Sequence, residues 1–347
     1  MGVWECERHS HTSPRTAVLS GSHALKAVTY TRYGPPDVLQ LADVPKPAPA
    51  DDEVLIKIHA VSVNRSDWEV LIGKPLYARL GGLWRPRRAI LGSDIAGTVE
   101  AAGPNHTRFK PGDEVFGDIL GHLGGFAEYV CVRGTALALK PPGLSFEPAS
   151  AIPQAGVIAL QGIRDQGQVQ PGHKVLINGA GGGGGTFALQ LAKQRGAEVT
   201  AVDHGHKADF LRGLGADHVI DYTRQDFTRT GQQYDLILDL IAYRSALAYP
   251  RALRPGGTYL CVGGSVATLL QVLLLGPLIR RMTGKHLRVL MVQTNPRDIQ
   301  TLGEMCAAGT LTPVIDRRYP LRETPEALRV LGAGQAKGKL VITLDAA

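Results

Sequence analysis

Two hydrophobic patterns divide the chain near residue 150. Before that point, short apolar runs alternate with turns rich in proline and glycine, which is typical of β-strands. The predicted strands of this part are Leu25–Tyr30, Val54–Val61, Ile95–Ala101 and Phe126–Val132. They predict a compact barrel-like domain over residues 24–150.

From Ala151 onward, β-branched runs alternate with segments of helical spacing. The predicted strands are Val175–Ile177, Val199–Val202, Val219–Ile220, Leu236–Leu238, Thr258–Val262 and Leu287–Val292, with helices between them. This alternation predicts a doubly wound parallel sheet over residues 151–294. The rest of the chain predicts a helix at Ile299–Ala308, a helix capped by Thr324 with Pro325 in its first turn, and a strand at Lys339–Leu344.

The stretch Lys174–Lys207 predicts a dinucleotide site. A strand is followed by five glycines, Gly181–Gly185, then by a helix and by a second strand that ends at Asp203. Glycines let the backbone approach an anion, and a helix N-terminus attracts one, so the pattern suits a pyrophosphate. An acid about 20 residues further on can accept hydrogen bonds from the ribose hydroxyls. A methyltransferase fold is the alternative, but it does not require an acid at this spacing.

The predicted cofactor-binding residues are Ala180, Gly182, Gly183, Gly184, Gly185, Thr186, Asp203, His204, Lys207, Val262, Gly263 and Gly264. The carboxylate of Asp203 favours NADH, because it can bind the ribose diol and would repel a 2′-phosphate. The cationic side chains of His204, His206 and Lys207 favour NADPH, which is the alternative.

Composition and charge narrow the function classes. The chain has 347 residues and a net charge of +7, and its basic clusters, Arg85–Arg88 and Arg280–Lys285, lack interleaved aromatic residues. A solvated basic face is therefore expected rather than nucleic-acid binding. The four cysteines are widely spaced, which predicts neither a disulfide scaffold nor structural zinc and suits the cytoplasm. Residues 1–23 lack the apolar core of a signal peptide and predict a disordered tail.

The segment Val266–Ile279 is the most apolar of the chain. It is shorter than the about 20 residues that span a bilayer, so it predicts a buried or interface helix. A membrane-surface contact, helped by Arg280 and Arg281, is the less favoured alternative.

Eight collinear segments over residues 24–345 resemble one known family. They are Val61–Trp68, Leu91–Gly103, Phe109–Gly117, Gly124–Val130, the glycine turn, Leu214–Tyr222, Tyr234–Asp239 and Gly338–Thr343. They resemble the zinc-independent, quinone-oxidoreductase branch of the medium-chain dehydrogenase/reductase superfamily. The resemblance implies an α/β protein in which a GroES-like catalytic barrel, residues 24–150 with 295–347, encloses an inserted Rossmann domain. It also implies a cleft between the two and a homodimer paired through the strand Leu287–Val292.

Zinc alcohol dehydrogenases of that superfamily carry metal ligands in three sequence contexts. The matching positions here hold Asn64, Ser93 and Gln154. An amide, a hydroxyl and a second amide are a set that catalytic zinc rarely selects, so no metal site is predicted.

Without a metal-bound alkoxide, hydride addition to an activated acceptor is the favoured chemistry. The sequence and its resemblance predict NAD(P)H-dependent reduction of apolar quinones or of the C=C bond of enones. Asn64 is the candidate polar group of the cleft, Tyr77 a candidate donor and Asp67 a candidate orienting residue, each with a purely structural role as the alternative. The apolar insert after Gly264 suggests a hydrophobic lid over the substrate. The alternative functions are an alcohol dehydrogenase or carbonyl reductase, and a catalytically idle dinucleotide-binding protein.

Overall fold

Two β-sheets of different kinds organise this computed structural model, which describes residues 24–293 and 295–344. The strands are β1 (Ala24–Thr29), β2 (Gln40–Pro45), β3 (Glu53–Val63), β4 (Asp94–Ala102), β5 (Glu114–Asp118), β6 (Tyr129–Arg133), β7 (Leu137–Leu139), β8 (Lys174–Asn178), β9 (Glu198–Asp203), β10 (His218–Asp221), β11 (Tyr234–Asp239), β12 (Leu253–Cys261), β13 (His286–Val289), β14 (Ile315–Pro320) and β15 (Lys339–Thr343). The helices are α1 (Arg65–Ile72), α2 (Phe146–Ser150), α3 (Pro153–Leu160), α4 (Gly183–Gln194), α5 (Ala208–Gly213), α6 (Val266–Thr283), α7 (Pro296–Ala307) and α8 (Thr324–Gly332). The tail predicted over residues 1–23 lies outside the described residues.

The first sheet is parallel and has the strand order β10-β9-β8-β11-β12-β13. Val175 and Ile177 of β8 belong to one core cluster and Leu176 to another, so the sheet is buried on both faces. That is why its strands are continuous apolar runs. The predicted doubly wound sheet is confirmed, and its order reverses between β8 and β11, where such sheets bind ligands.

Two connections of this sheet differ from the prediction of a helix between every pair of strands. Only short 3₁₀ helices, at Phe227–Arg229 and Tyr249–Ala252, are found between β10 and β11 and between β11 and β12. The side chain of Asp221 accepts a bond from the N–H of Thr223, and that of Asp226 from the N–H of Thr228. Such local side-chain bonds compete with helix formation.

The second sheet has the order β14-β15-β3-β4-β5-β7, with β6 also paired to β3, and β1 and β2 form a separate ribbon. The late strand β15 pairs antiparallel with the early strand β3, from Leu340 opposite Val63 to Thr343 opposite Ala60. The barrel is therefore built from both parts of the chain, as the resemblance implied. The exact domain boundaries, at 150/151 and 294/295, stay predictions.

Helix α6 is longer and far more exposed than expected. Its buried residues are Thr268, Val272, Gly276 and Ile279, which form one stripe against the sheet. The prediction of a buried helix is wrong because the opposite face is also apolar, so the pattern did not distinguish the two faces. The alternative of an interface helix stays a prediction.

Two further element predictions need correction. The strand predicted over Leu287–Val292 ends at Val289. Helix α8 begins at Thr324 instead of being capped by it, because the hydroxyl of Thr324 donates to the carbonyl of Leu321.

Candidate active site

The predicted cofactor residues follow strands that end at one edge of the parallel sheet. The glycine turn follows β8, Asp203 ends β9, and Val262–Gly264 follow β12. Because all strands of this sheet run parallel, their carboxyl ends share an edge. The structure thus brings the three predicted segments to the same side of the sheet.

The glycine turn fits the pyrophosphate of a dinucleotide. Gly182 precedes α4 without a side-chain cap, so the first N–H groups of that helix keep their capacity to bind an anion. A Cβ on Gly185 would lie 2.3 Å from the carbonyl oxygen of Gly179, so only glycine lets α4 approach the turn this closely. A Cβ on Gly184 would meet nothing within 3.5 Å, which leaves room beside the backbone.

Two of the predicted cofactor residues support the turn from inside. Ala180 and Thr186 are buried, and the hydroxyl of Thr186 donates to the carbonyl of Gly183 at 2.9 Å. Their side chains face the protein, so we assign them to the shape of the turn.

The carboxylate of Asp203 forms more contacts within the protein than the sequence indicated. Its Oδ2 accepts from the N–H of Gly181 at 2.8 Å, and its Oδ1 accepts from the N–H of His204 at 2.8 Å. The ammonium of Lys207 lies 3.4 Å from the same Oδ1, and both side chains are nearly buried. Asp203 therefore holds the glycine turn against the end of β9, with one acceptor position left for a ribose hydroxyl. His204 is exposed, and its ring contacts His206.

The segment after β12 is fixed beside the end of β11. The N–H of Ala242 donates to the carbonyl of Gly263 at 2.7 Å, and Val262 donates to Asp239 at 2.9 Å. Gly264 has a φ of 128°, and a Cβ there would lie 2.1 Å from the carbonyl oxygen of Ala242. Only glycine fits this position.

A buried polar cluster lies on the barrel side of the glycine turn. We define the polar cluster as Lys339, Asn64, Asp94 and Ser93, all nearly inaccessible to solvent. The ammonium of Lys339 donates to Oδ1 of Asn64 and lies 3.6 Å from Oδ2 of Asp94. Nδ2 of Asn64 donates to Oγ of Ser93 at 3.1 Å. The cluster thus combines one buried ion pair with one oriented amide.

Lys339 also lies against the glycine turn. The N–H of Gly338 donates to the carbonyl of Gly181 at 2.9 Å, and a Cβ on Gly183 would come within 2.6 Å of the Lys339 side chain. This lysine therefore connects the cofactor turn with Asn64. Sequence reasoning missed it, although a lysine directly before the apolar run Leu340–Ile342 was an available signal.

The predicted catalytic residues occupy different environments. Asn64 belongs to the polar cluster. Asp67 is fully buried, and its carboxylate accepts from the N–H groups of Asn64 at 2.8 Å and of Gly92 at 3.1 Å, so it positions backbone instead of contacting a substrate. Tyr77 is half exposed and its hydroxyl donates to Glu69 at 3.3 Å. Within residues 24–293 and 295–344, Tyr77 shares no hydrogen bond with the polar cluster.

Burial shifts the pKa values of this region. It raises the pKa of Asp67 to about 7, against the hydrogen bond from the Asn64 N–H. Burial also raises the pKa of Asp118 to about 7 and that of Asp94, although Lys339 opposes the shift of Asp94. The pKa of Lys339 is lowered by burial, with Asp94 acting against it. Burial thus disfavours the charged form of Lys339 and of Asp94, and their ion pair acts against that effect on both partners.

The three positions that correspond to zinc ligands also meet here. Besides the bond between Asn64 and Ser93, the N–H of Gln154 donates to Asp94 at 3.1 Å, and Oε1 of Gln154 accepts from Ser66 at 3.0 Å. The donor set contains no thiolate or imidazole, and the ammonium bound to Asn64 would repel a cation. That the protein lacks catalytic zinc stays a prediction.

Comparisons with known proteins agree with this architecture. Residues 50–142 match the family described as alcohol dehydrogenase GroES-like domain, and residues 214–342 match the family described as zinc-binding dehydrogenase. The chain is 32% identical to 2-methylene-furan-3-one reductase from Solanum lycopersicum, over 92% of this chain and 79% of that protein. It is 31% identical to the mitochondrial NAD(P)H oxidoreductase RTN4IP1 from Homo sapiens, over 97% of this chain and 92% of that protein.

Among solved structures, the quinone oxidoreductase from Coxiella burnetii superposes with a TM-score of 0.85 at 30% identity, over 93% of this chain and all of that one. The named relatives include a mitochondrial protein, so the cytoplasmic location stays a prediction.

Proposed function

The chain belongs to the quinone-oxidoreductase-like branch of the medium-chain dehydrogenase/reductase superfamily, and from this premise we propose that it reduces quinones or the activated C=C bonds of α,β-unsaturated carbonyl compounds. NAD(P)H supplies the hydride. We propose that the NAD(P)H is held by the glycine turn and by the segments around Asp203 and Gly264.

The observation that carries this proposal is the buried ammonium of Lys339 beside the glycine turn and Asn64. When hydride adds to the β-carbon of an enone, negative charge develops on the carbonyl oxygen. A fixed positive charge in a dry site stabilises such an oxygen without reorganisation. We assign this role to Lys339, which also orients Asn64. The anion formed by hydride addition takes its final proton from solvent once it leaves the dry site.

Alcohol oxidation is the competing chemistry. An alcohol must lose a proton as its hydride leaves, which is usually assisted by a Lewis acid or a strong base. The amide and hydroxyl groups of Asn64, Ser93 and Gln154 are poor groups for either role. Elemental analysis of the purified protein, with well under one zinc per chain expected, tests this part of the proposal.

Isotope transfer tests the reaction itself. The protein is incubated with stereospecifically deuterated NADH or NADPH and a panel of quinones and enones. We expect the label on the β-carbon of the enone product. A label on a carbinol carbon, with the double bond intact, would show a carbonyl reductase, and no turnover with any acceptor would favour an idle binding protein.

We propose NADH as the preferred coenzyme, because the carboxylate of Asp203 ends β9 where a 2′-phosphate would lie. Asp203→Asn keeps an acceptor for the Gly181 N–H but removes the charge. Relief of a like-charge repulsion of about 1 kcal/mol should raise the ratio of kcat/KM for NADPH over NADH about fivefold. An unchanged ratio would mean that Asp203 does not face the ribose.

A further inference from the structure

Helix α6 presents an exposed apolar surface to solvent. We call its exposed side the leucine face, which consists of Leu270, Leu273, Leu274 and Leu278, with exposed fractions from 51% to 75%. Consecutive members are one to four positions apart along the helix, which places all four opposite its buried stripe. Four exposed leucines on one side of a helix form an apolar patch that needs an explanation, whereas a single exposed leucine does not.

The leucine face continues onto a neighbouring loop. Tyr243 and Leu247 are both more than 60% exposed. The loop that carries them is bonded to α6, because the N–H of Ala246 donates to Gln271 at 3.0 Å and Thr268 donates to the carbonyl of Arg244 at 2.9 Å. These hydrogen bonds thus hold the loop that carries Tyr243 and Leu247 against α6.

The chain segment that carries this surface has charges of one sign. Residues 240–297 contain no Asp or Glu and eight Arg or Lys, while the whole chain has 38 basic and 31 acidic residues. The excess positive charge of the protein is therefore concentrated in this segment. The basic residues are Arg244, Arg251, Arg254, Arg280, Arg281, Lys285, Arg288 and Arg297.

Most of these charges are available to a partner. Arg244 and Arg254 pair with Asp226 and Asp235. Within the part of the chain that the structure describes, none of the other six forms a salt bridge, and Arg280 and Arg281 are exposed in the last turn of α6.

Helix α6 packs against the parallel sheet. By length and composition α6 could cross a membrane. However, a Cβ on Gly276 would lie 2.5 Å from the carbonyl oxygen of Leu287, and Val272 and Ile279 are part of the core over β12 and β13. A spanning orientation would expose that core, whereas an orientation parallel to a surface keeps it.

We propose that the leucine face and the adjacent basic residues dock the protein on the surface of an anionic membrane. The leucines enter the boundary between headgroups and acyl chains, and Arg280 and Arg281 extend to the lipid phosphates. A second copy of this chain fits the surface less well, because two identical basic surfaces would face each other. Ser265, which caps α6, directly follows Gly264, so the docked surface borders the proposed cofactor edge.

Vesicle flotation of the full chain tests the proposal. The protein is mixed with vesicles of phosphatidylcholine, with and without phosphatidylserine, at low and high salt. We expect binding that requires phosphatidylserine and weakens at high salt, since about 1 kcal/mol of attraction per basic residue depends on the surface potential. The double variants Leu270→Glu/Leu274→Glu and Arg280→Glu/Arg281→Glu should each lower the partition coefficient at least about tenfold.

Matched controls separate docking from general effects of charge. Arg224→Glu/Arg229→Glu changes the net charge equally at two well exposed arginines, and Leu41→Glu places the same substitution on the exposed strand β2. Both controls should bind like the unchanged protein, and all variants should keep their melting temperature. The proposal is overturned if wild-type protein does not float with anionic vesicles, or if the leucine variant floats unchanged. It is also overturned if the leucine variant only converts a dimer into a monomer in light scattering, because α6 would then be covered by a second copy.

Discussion

At the scale of single residues, we expect the ion pair of Lys339 and Asp94 to affect both the stability of the protein and its catalysis. Neither charge is hydrated, so each depends on the other and on the surrounding amides. Removing one partner of such a pair leaves an uncompensated buried charge. The same burial makes the ammonium effective toward a negative charge that develops on a substrate.

The variant Lys339→Met separates the effect on stability from the effect on catalysis. We expect the free energy of unfolding to fall by about 3–5 kcal/mol, because Asp94 loses its counter-ion. We also expect kcat/KM to fall about 10²–10³-fold, as for the loss of a group that stabilises an oxyanion. Urea unfolding and steady-state kinetics measure the two quantities. The double variant Lys339→Met/Asp94→Asn should recover stability but not activity, and recovery of both would show that Lys339 is only structural.

Asp118 makes stability depend on pH. Burial raises its pKa to about 7, with Asp94 acting in the same direction, while an unfolded aspartate titrates at about 3.9. The unfolded chain releases its proton first as pH rises, so the free energy of unfolding should fall between about pH 4 and pH 7 and level off above. Asp118→Asn should reduce this slope in urea unfolding at several pH values. Asp209→Asn, on a fully exposed side chain, is the control, and an equal slope in both variants would contradict the prediction.

The candidate site could be predicted only in part. Asn64 was found because its sequence context matches a known ligand position. Lys339 was not, because its bond to Asn64 joins residues 275 positions apart and exists only after the barrel closes. The role of Asp67 in holding backbone N–H groups also depends on Gly92, which only the fold brings near.

At the scale of elements, the contact between α4 and the glycine turn leaves no space for a side chain at Gly185. Gly185→Ala should therefore push the helix away, lower the free energy of unfolding by about 1–3 kcal/mol and weaken cofactor binding about tenfold or more. Gly213→Ala in α5, where an added Cβ meets open space, is the matched control and should change neither quantity. Calorimetric titration with NADH and thermal unfolding are the measurements. Unchanged affinity in folded Gly185→Ala protein would rule out this turn as the pyrophosphate site.

The elements themselves were largely predictable from the sequence, for a physical reason. Strands buried on both faces are continuous apolar runs, and glycine and proline mark their ends. The exposure of α6 was not predictable because apolar residues cover both sides of that helix. The side that meets the sheet carries Gly276, where the absence of a side chain allows close approach to β13.

At the scale of the whole molecule, β13 is the edge of the parallel sheet and one of its sides has no strand beside it within the described chain. We propose that it pairs with its copy, so that light scattering gives about twice the 37.1 kDa of one chain. The N–H of Leu290 bonds to Cys261 of β12, so that of Val289 points to the free side. Val289→Pro should yield a monomer, and Val289→Ala should remain a dimer. A wild-type monomer at micromolar concentration would contradict the prediction.

The position of α6 on one face of the sheet has a consequence for such a pair. Antiparallel pairing of two β13 strands creates a twofold axis perpendicular to the sheet, so both α6 helices would lie on the same side of the dimer. The two leucine faces would then engage one bilayer together. Once the leucine face of one subunit is bound, that of the other subunit would meet the bilayer at a high effective concentration. The apparent affinity of the dimer for the membrane would then exceed that of one helix by about 10²–10⁴-fold. Vesicle binding would therefore decline steeply on dilution below the dissociation constant of the dimer, so that self-association would set the avidity for the membrane.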